Sequence, residues 1–372
     1  MKRRLIGHKS RYKEVIILTA LAPTGTQRID TLDTVRGFAL LGIILVNILP
    51  LLDVQTPAPG SIDAWLFQFF NFAVESRFFV IFSFLFGVGF HLFVSRAKAK
   101  GANGTVLFVR RLLALLAFGF VHKMFHPGEA LFIYAIFGFI LMPFYRLKAR
   151  TNLIVGLILA MFVCATGFKP MLVLPLFILG LSVGQFGVFQ DIPRFLPAIK
   201  KVQGIAFLLM LIGLYAQYHF LPADPFMTAN MIVVDDMSEE QLLALTYYTI
   251  ALTSTGFVMS AFYVTTLIRL LQHSGVQKAL APLTSYGRMA LTNYVGQTVL
   301  ILVGGYLFGW YGALTYWQST LFCLGIYVVQ MIFSMLWLSA FRMGPLEWIW
   351  RVFTYLQVTP LRKDSSGKRS LA

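Results

Sequence analysis

The chain has 372 residues, of which 58% are hydrophobic and only 12% are charged. Soluble globular domains carry about 25% charged residues, so this composition excludes a soluble fold. It also excludes disorder, because so apolar a chain has ample surface to bury. Transmembrane β-barrels alternate polar and apolar residues over segments of about ten residues, whereas the apolar runs here are continuous and about twice as long. The composition therefore predicts an all-α polytopic membrane protein.

The apolar runs predict about ten transmembrane helices, since a helix needs about 20 residues to cross a bilayer. In chain order the runs are 35–52, 78–94, 106–122, 130–145, 153–168, 171–189, 205–221, 248–267, 289–311 and 317–341. The segment 61–77 is too polar for lipid, although it is rich in aromatic residues. It predicts an amphipathic helix on the outer surface that leads into the second span.

The basic residues predict the orientation of these spans. With the N-terminus inside, all but three of the 31 Lys and Arg residues fall on the inner side, and the exceptions are Arg77, Lys123 and Lys169. The net charge of +16 is then a positive-inside signal and not a nucleic-acid-binding surface. We predict a multi-pass membrane protein with both termini cytoplasmic. It is divided into a basic extension (1–27), an N-terminal helical half (28–150), a C-terminal half (151–355) and a basic tail (356–372).

Two polar groups lie at the ends of the first two spans. The sequence R-I-D-T-L-D-T-V-R-G at 28–37 places Asp30, Asp33 and Arg36 on one helical face. Arginines here could hold a phosphate bidentately, and the alternative is a salt-bridge network that sets orientation. At the outer end, Asn47 precedes Glu75 and Arg77. These charges bind a substrate or simply anchor the amphipathic helix.

The connection between the third and fourth spans contains His122, His126 and Glu129 beside a Pro-Gly turn. A histidine with a neighbouring carboxylate is the minimum arrangement for a general base, because the carboxylate fixes the tautomer and stabilises the imidazolium. The alternative is an interfacial turn that contacts only water and headgroups. We predict no metal site here, since Pro127 ends the helix and the two cysteines, Cys164 and Cys323, lie inside apolar runs.

The C-terminal third adds a weaker set of polar residues. Arg288 stands at the inner end of a span, and Asn293 and Gln297 project from one helical face. Glu347 and Arg351 are spaced as an ordinary helix pair. Packing and anchoring explain most of this set.

Taken together, these motifs resemble the YeiB-type bacterial membrane proteins, whose C-terminal half is a domain of unknown function. The resembling segments are 28–47, 77–90, R-R-L-L-A-L-L-A-F-G-F-V-H at 110–122, 131–138, G-R-M-A-L-T-N-Y at 287–294 and F-R-M-G-P-L-E-W-I-W-R at 341–351. The N-terminal motif is also distantly similar to that of the transmembrane acyltransferase superfamily, which includes heparan-α-glucosaminide N-acetyltransferase. Many members of that superfamily place a histidine at the outer end of the first span, where this chain has Asn47.

The resemblance implies that an acyl group moves from cytoplasmic acyl-CoA to a glycan or another hydroxyl or amine compound at or across the membrane, without a tightly bound cofactor. In this interpretation His122 is the general base, oriented by Glu129. Phosphates of acyl-CoA are held at the inner face by Arg28, Arg36, Arg110, Arg111 and Arg288, and substrate contacts come from Asn47, Glu75, Arg77, Tyr134 and Asn293.

One difficulty is that the arginines are expected inside and the histidine outside, about 30 Å apart. Solid packing between the two ends would exclude transfer in a single step. A transporter or flippase for a small molecule or lipid, and a non-catalytic membrane scaffold, remain alternatives, and relatives that form dimers suggest a homodimer.

Overall fold

The structure, a computed structural model, describes residues 29–222 and 238–363. The chain divides into two units, Met1–Asp30 and Thr31–Ala372, and the helices of the bundle belong to the second apart from the first residue of α1. Arg28 and the basic extension 1–27 lie outside the described residues, as do 223–237 and most of the basic tail.

The described residues are almost entirely helical, and the only β-type pairing among them is a single bridge between Phe341 and Arg362. Two short 3-10 helices, Met142–Arg146 and Lys169–Leu172, accompany the α-helices. In chain order the α-helices are α1 (Asp30–Leu51), α2 (Ile62–Ala73), α3 (Phe78–Ala99), α4 (Gly104–Lys123), α5 (Leu131–Leu141), α6 (Ala149–Thr166), α7 (Val173–Phe186), α8 (Ile192–His219), α9 (Glu239–Leu270), α10 (Ser274–Ala279), α11 (Ala281–Arg288), α12 (Ala290–Phe308), α13 (Tyr316–Ala340) and α14 (Pro345–Tyr355).

Within the two described ranges, nine helical segments are long and apolar enough to cross a membrane. One of them, Ile62–Ala99, combines α2 and α3 across a short turn, and the apolar stretch Leu131–Arg146 is shorter. Nine of the ten predicted apolar runs correspond to these segments in order, and the tenth, 130–145, corresponds to the shorter stretch. The prediction of an all-α, multi-pass membrane protein is therefore confirmed. A separate helix also forms where the amphipathic segment was predicted, and the side chain of Ser61 caps its N-terminus.

Helices α3 and α7 pack backbone against backbone in the centre of the bundle. A Cβ atom at Gly87 would lie 2.0 Å from the carbonyl oxygen of Phe177, and one at Gly180 would lie 2.0 Å from that of Phe84. Only glycine permits so close an approach. The contact brings Phe86 and Phe177 into a stack with ring centroids 4.4 Å apart.

The short helix α14 is tied to two neighbouring helices by polar contacts. The indole Nε1 of Trp350 donates to the carbonyl of Arg111 on α4, at 2.8 Å. The Glu347 carboxylate accepts hydrogen bonds from the backbone N–H groups of Leu291 (2.7 Å) and Thr292 (3.2 Å) at the start of α12. Glu347 thus caps a helix, which its predicted pairing with Arg351 did not anticipate.

Candidate functional site

A cavity of about 270 Å³ lies between α1, α3, α5 and α7. Its walls are mostly apolar, with phenylalanines 78, 79 and 82 of α3 forming one side. The polar or titratable side chains that line it are Asn47, Glu75, Ser76, Glu129, Tyr134, Lys169 and Tyr294. Four of the predicted site residues, Asn47, Glu75, Glu129 and Tyr134, are thereby brought together around one cavity. We call this space the Glu129 cavity.

Glu129 is held at the N-terminus of α5, with both carboxylate oxygens engaged. Oε1 accepts the backbone N–H of Leu131 at 2.6 Å, and Oε2 accepts that of Phe132 at 2.7 Å. Nδ1 of His122 lies 3.3 Å from Oε1. The helix N-terminus stabilises the negative charge, and the fixed carboxylate orients the imidazole. The predicted pairing of His122 with Glu129 is present, and both side chains are buried.

His122 lies behind Glu129 and does not line the cavity. Its second ring nitrogen, Nε2, is 2.9 Å from Oγ1 of Thr298 on α12, so both nitrogens are engaged. The same hydroxyl is 3.4 Å from Nδ1 of His126. Among these groups Glu129 is the residue that lines the cavity, and its side chain has no exposed surface. The sequence had instead assigned the contact with the acceptor to His122.

His126 completes the buried cluster. Its ring stacks on that of His122 with centroids 5.2 Å apart, and the edge of Tyr294 packs against both rings. Burial first, and the charge of His122 second, lower the pKa of His126 to about 4, although the Glu129 carboxylate acts in the opposite direction. His126 is therefore neutral at pH 7.

The rim of the cavity carries an ion pair between Lys169 and Glu75, with Nζ 2.6 Å from Oε1. Both side chains are partly exposed. Lys169 had been identified in the sequence only as an outer-side cation, because no nearby residue indicated a partner. Together with Glu129, this pair gives the cavity lining one basic and two acidic side chains.

Arg77 has no exposed surface and does not line the cavity. Its guanidinium donates to the carbonyl oxygens of Asn71 (3.1 Å) and Glu75, and to Oε1 of Gln217 on α8 at 2.9 Å. Its own carbonyl accepts from the hydroxyl of Ser260 on α9 at 2.7 Å. Arg77 therefore fixes the turn that carries Glu75 and ties it to two neighbouring helices.

The remaining predicted substrate residues differ in their surroundings. The hydroxyl of Tyr134 lies 2.6 Å from Oγ of Ser83 at the cavity wall. Asn293 does not line the cavity; its amide donates to the carbonyl of Tyr286 at 2.8 Å and to Oγ of Ser334 at 2.9 Å. Asn293 thus connects helices inside the bundle.

The predicted phosphate-binding arginines do not line the Glu129 cavity within the described residues. Arg36 forms an ion pair with Asp33 at 2.8 Å. The guanidinium of Arg111 lies 3.5 Å above the Trp350 ring, and the charges of Arg36 and Arg351 are near enough to act on it. We call Arg36, Arg111 and Arg351 the arginine cluster. Arg110 precedes Arg111 on α4, and Arg288 ends α11.

The arginine cluster is nearer to the cavity than a membrane thickness. Eleven residues separate Arg36 from Asn47 on α1, and at 1.5 Å per residue this corresponds to about 16 Å.

A series of contacting aromatic side chains connects the cavity wall to the arginine cluster. Phe86 contacts Tyr134 of the cavity wall at 5.7 Å and stacks on Phe177. Further rings continue from Phe86 towards Arg111, which lies 5.0 Å above Phe93; they are Phe108, Phe90 and Phe93. The cavity and the arginine cluster are thus separated by packed rings in this conformation.

Two residues of these clusters were not anticipated. Thr298 directly follows Gln297 on α12, and no sequence pattern indicated that its hydroxyl contacts two histidines. Arg351 had been assigned to a local helix pair. In the part of the chain that is described, no group of three His, Cys, Asp or Glu side chains is placed to hold a metal ion.

Comparison with known proteins places the chain in a family. A family described as "Protein of unknown function (DUF418)" matches residues 183–357. The chain is 48% identical over 335 residues to "Uncharacterized 39.9 kDa protein in amylase 3'region" of Bacillus acidopullulyticus, covering 90% of this chain and 96% of that protein. It is 30% identical to YxaH of Bacillus subtilis (strain 168), covering 94% of this chain and all of YxaH.

A third relative is YeiB of Escherichia coli (strain K12), with 25% identity over 404 residues that cover 91% of this chain and all of YeiB. The resemblance noted in the sequence motifs therefore extends over nearly the full length of these proteins. The chain belongs to the DUF418 family of YeiB-type membrane proteins.

Proposed function

We propose that this protein is an acyltransferase of the bacterial cytoplasmic membrane, which moves an acyl group from acyl-CoA to a hydroxyl or amine acceptor bound in the Glu129 cavity. The observation that carries the proposal is the arrangement of Glu129, which lines the cavity and pairs with the buried His122. A buried carboxylate–imidazole pair at a cavity wall is a suitable proton acceptor.

In the proposed reaction Glu129 contacts the acceptor, and His122 positions the carboxylate and shares the proton. The acceptor oxygen or nitrogen attacks the thioester carbonyl carbon while its proton passes to the Glu129–His122 pair. The new bond to the acyl carbon forms, the bond from that carbon to the CoA sulfur breaks, and the proton returns to the thiolate. The Tyr134 hydroxyl and the Asn47 amide, both at the cavity wall, are the candidate donors to the oxyanion.

The proposed donor site is the arginine cluster, on the side of the membrane that the basic residues predict to be cytoplasmic. Three guanidinium groups lie near one another there, with Asp33 paired to one of them. An anion with several phosphate charges would relieve the repulsion among these cations. Arg111 is stacked on Trp350, so Arg36 and Arg351 are the better placed to contact phosphates.

The packed rings between the two sites define the conformational step that the proposal requires. For a thioester to reach Glu129 from the arginine cluster, Phe86 and Phe177 must separate. Single-step transfer in the closed conformation is therefore not proposed. The step is a side-chain movement in the core, of the kind that gates access to many buried sites.

Ligand binding and turnover test the proposal separately. Acetyl-CoA is added to the protein in detergent, and a ligand at 100 times its Kd is expected to stabilise the fold by about 2.7 kcal/mol. Arg36→Gln should abolish the increase in unfolding temperature that acetyl-CoA causes, whereas Arg194→Gln on exposed α8 should not.

Transfer of radiolabelled acetyl to a panel of sugars and amines tests the reaction itself. The rate should fall about 10²–10⁴-fold in Glu129→Gln. An unchanged transfer rate would remove Glu129 from the mechanism.

Transport of a small solute is a second candidate, favoured by one observation. Tyr134 of the cavity wall packs against both Phe86 and Phe177, as expected for a pathway closed towards one side. Uptake of labelled cavity ligands into proteoliposomes, without acyl-CoA, would distinguish this function. Solute uptake without covalent change would favour transport, whereas acylated product would favour transfer.

A further inference from the structure

A second cavity, of about 410 Å³, lies between α8 and the end of α9. It shares no lining residue with the Glu129 cavity. Its lining residues are Leu196, Lys200, Gln203, Thr266, Arg269, Leu270, Gln272 and His273. We call it the Lys200 cavity.

The polar lining of the Lys200 cavity suits an anion. Lys200 and Arg269 are cationic, and no carboxylate lines the space. Within residues 29–222 and 238–363, the ion pairs formed involve other residues, so neither cation is neutralised by a carboxylate there. Two exposed cations without a counter-ion favour an external anion.

Arg269 is held in position rather than free to move. Its guanidinium donates to Oε1 of Gln203, and Nε2 of the same amide donates to Oγ1 of Thr266 at 2.7 Å. One face of the guanidinium fork is occupied by this contact, and an arginine has five N–H donors in all. The remaining donors can reach a phosphate oxygen bidentately.

An apolar track begins at the cavity and continues along α8. Lys200, Gly204, Leu208 and Ile212 follow one another at intervals of four residues, so they form one stripe of the helix. Leu208 and Ile212 are strongly exposed. A Cβ atom at Gly204 would meet no heavy atom within 4 Å, so there is open space next to Lys200 along the track.

We propose that the Lys200 cavity binds the phosphate of an anionic membrane lipid, with one acyl chain lying along the Gly204–Leu208–Ile212 stripe. Lys200 and Arg269 contact the phosphate, while Leu196 and Leu270 contact the glycerol and the first methylenes. A free phosphate would use the cations but not the apolar stripe, and the stripe is the reason for choosing a lipid. The site is independent of the Glu129 cavity and of the acyltransferase proposal.

The test is native mass spectrometry of the detergent-solubilised protein titrated with phosphatidylglycerol or phosphatidylcholine. We expect phosphatidylglycerol to bind more tightly. Lys200→Gln should weaken its binding about fivefold, the effect of one basic residue beside an anionic headgroup. Lys201→Gln is the matched control, since it removes the same charge one residue away and Lys201 does not line the cavity.

A second variant separates a lipid from a soluble phosphate. Gly204→Leu fills the stripe without removing a charge, so it should weaken phosphatidylglycerol binding while leaving any binding of glycerol 3-phosphate unchanged. Equal lipid affinities in Lys200→Gln and Lys201→Gln would overturn the site. Binding of glycerol 3-phosphate together with an unaffected lipid affinity in Gly204→Leu would overturn the lipid as its ligand.

Discussion

Phe86 stacks on Phe177 with ring centroids 4.4 Å apart and ring planes inclined by 15°. The stack stands between Phe82, which lines the Glu129 cavity, and Gly89, where an added Cβ atom would lie 3.7 Å from the guanidinium of Arg36. The two rings therefore lie on α3 and α7 between the proposed acceptor site and the proposed donor site.

Replacing Phe86 with leucine should open this separation. The variant loses an aromatic stack, which contributes about 0.5–1.5 kcal/mol beyond its buried area, and the smaller side chain leaves room beside Phe177. We expect a comparable loss of stability in thermal unfolding and faster transfer from longer acyl-CoA donors. Phe207→Leu on α8 is the control, because that ring is largely exposed. Identical donor preference in both variants would show that the stack is not a gate.

Glu129 has a structural role and a proposed chemical role that two substitutions separate. Glu129→Ala removes the acceptor of two helix N-terminal N–H groups, and loss of such a cap costs about 0.5–2 kcal/mol. Glu129→Gln keeps an acceptor oxygen and should unfold nearer to the parent temperature, yet both variants should lose acyl transfer. Glu75→Gln changes a residue of the same cavity without altering the Glu129–His122 pair. It should retain more acyl transfer than either Glu129 variant. Loss of activity only in the unstable variant would contradict a chemical role.

The low pKa of His126 makes stability depend on pH in one direction. In the unfolded chain the group protonates near pH 6.5, but in the fold only near 4. The unfolded state thus binds more protons between these values, so stability is complete above pH 6.5 and falls as pH drops towards 4, by about 1.4 kcal/mol per unit. Unfolding curves recorded from pH 7.5 to 4.5 should show this slope, and His126→Gln should flatten it. An equal slope in the variant would assign the proton uptake elsewhere.

Arg77 should be among the most sensitive positions for stability. Arg77→Gln removes a fully buried cation that donates to two carbonyls and to Gln217. Each buried acceptor that is left without a donor costs about 1–3 kcal/mol, and Arg77 donates to three of them. Arg194→Gln, at an exposed site on α8, should cost less than about 0.5 kcal/mol. Chemical unfolding in detergent measures both, and equal midpoints would mean that the Arg77 contacts contribute no net stability.

The glycine contact between α3 and α7 predicts a contrast between two Gly→Ala changes. Gly180→Ala forces a methyl group against the backbone of Phe84, which cannot rotate away as a flexible side chain can. It should lower the free energy of unfolding by about 1–3 kcal/mol or more. Gly325→Ala on α13 adds a methyl group where nothing lies within 4 Å. It should stabilise the helix by up to about 1 kcal/mol. We expect the two variants to change the unfolding temperature in opposite directions. An unchanged unfolding temperature in Gly180→Ala would show that α3 and α7 can move apart at little cost.

The sequence predicted the fold well because the signal was the length of apolar runs, which each run carries by itself. The pairing of His122 with Glu129 was also predictable, since seven residues and one turn separate them. Thr298 was not, because its contact with His122 spans 176 residues and depends on how α12 packs. Arg77 is a second residue whose long-range partners the sequence did not indicate. Its charge at a membrane boundary suggested a substrate contact, but its hydrogen bonds to two carbonyls and to Gln217 hold the turn that carries Glu75 in position. Which residue of the Glu129–His122 pair lines the cavity depends on packing between distant helices, and no local sequence pattern indicates that packing.

The cap that Glu129 forms on α5 connects a proton to the position of a helix. A neutral carboxyl accepts more weakly from the first N–H groups of α5 than a carboxylate does, because the charge strengthens each bond. The helix has 11 residues, so its first turn is a large part of its length. In the proposed reaction, a proton taken up by Glu129 would therefore loosen the first turn of α5, and its departure would tighten that turn. The proposed chemistry at one carboxyl would in this way move a helix that forms part of the wall of the same cavity.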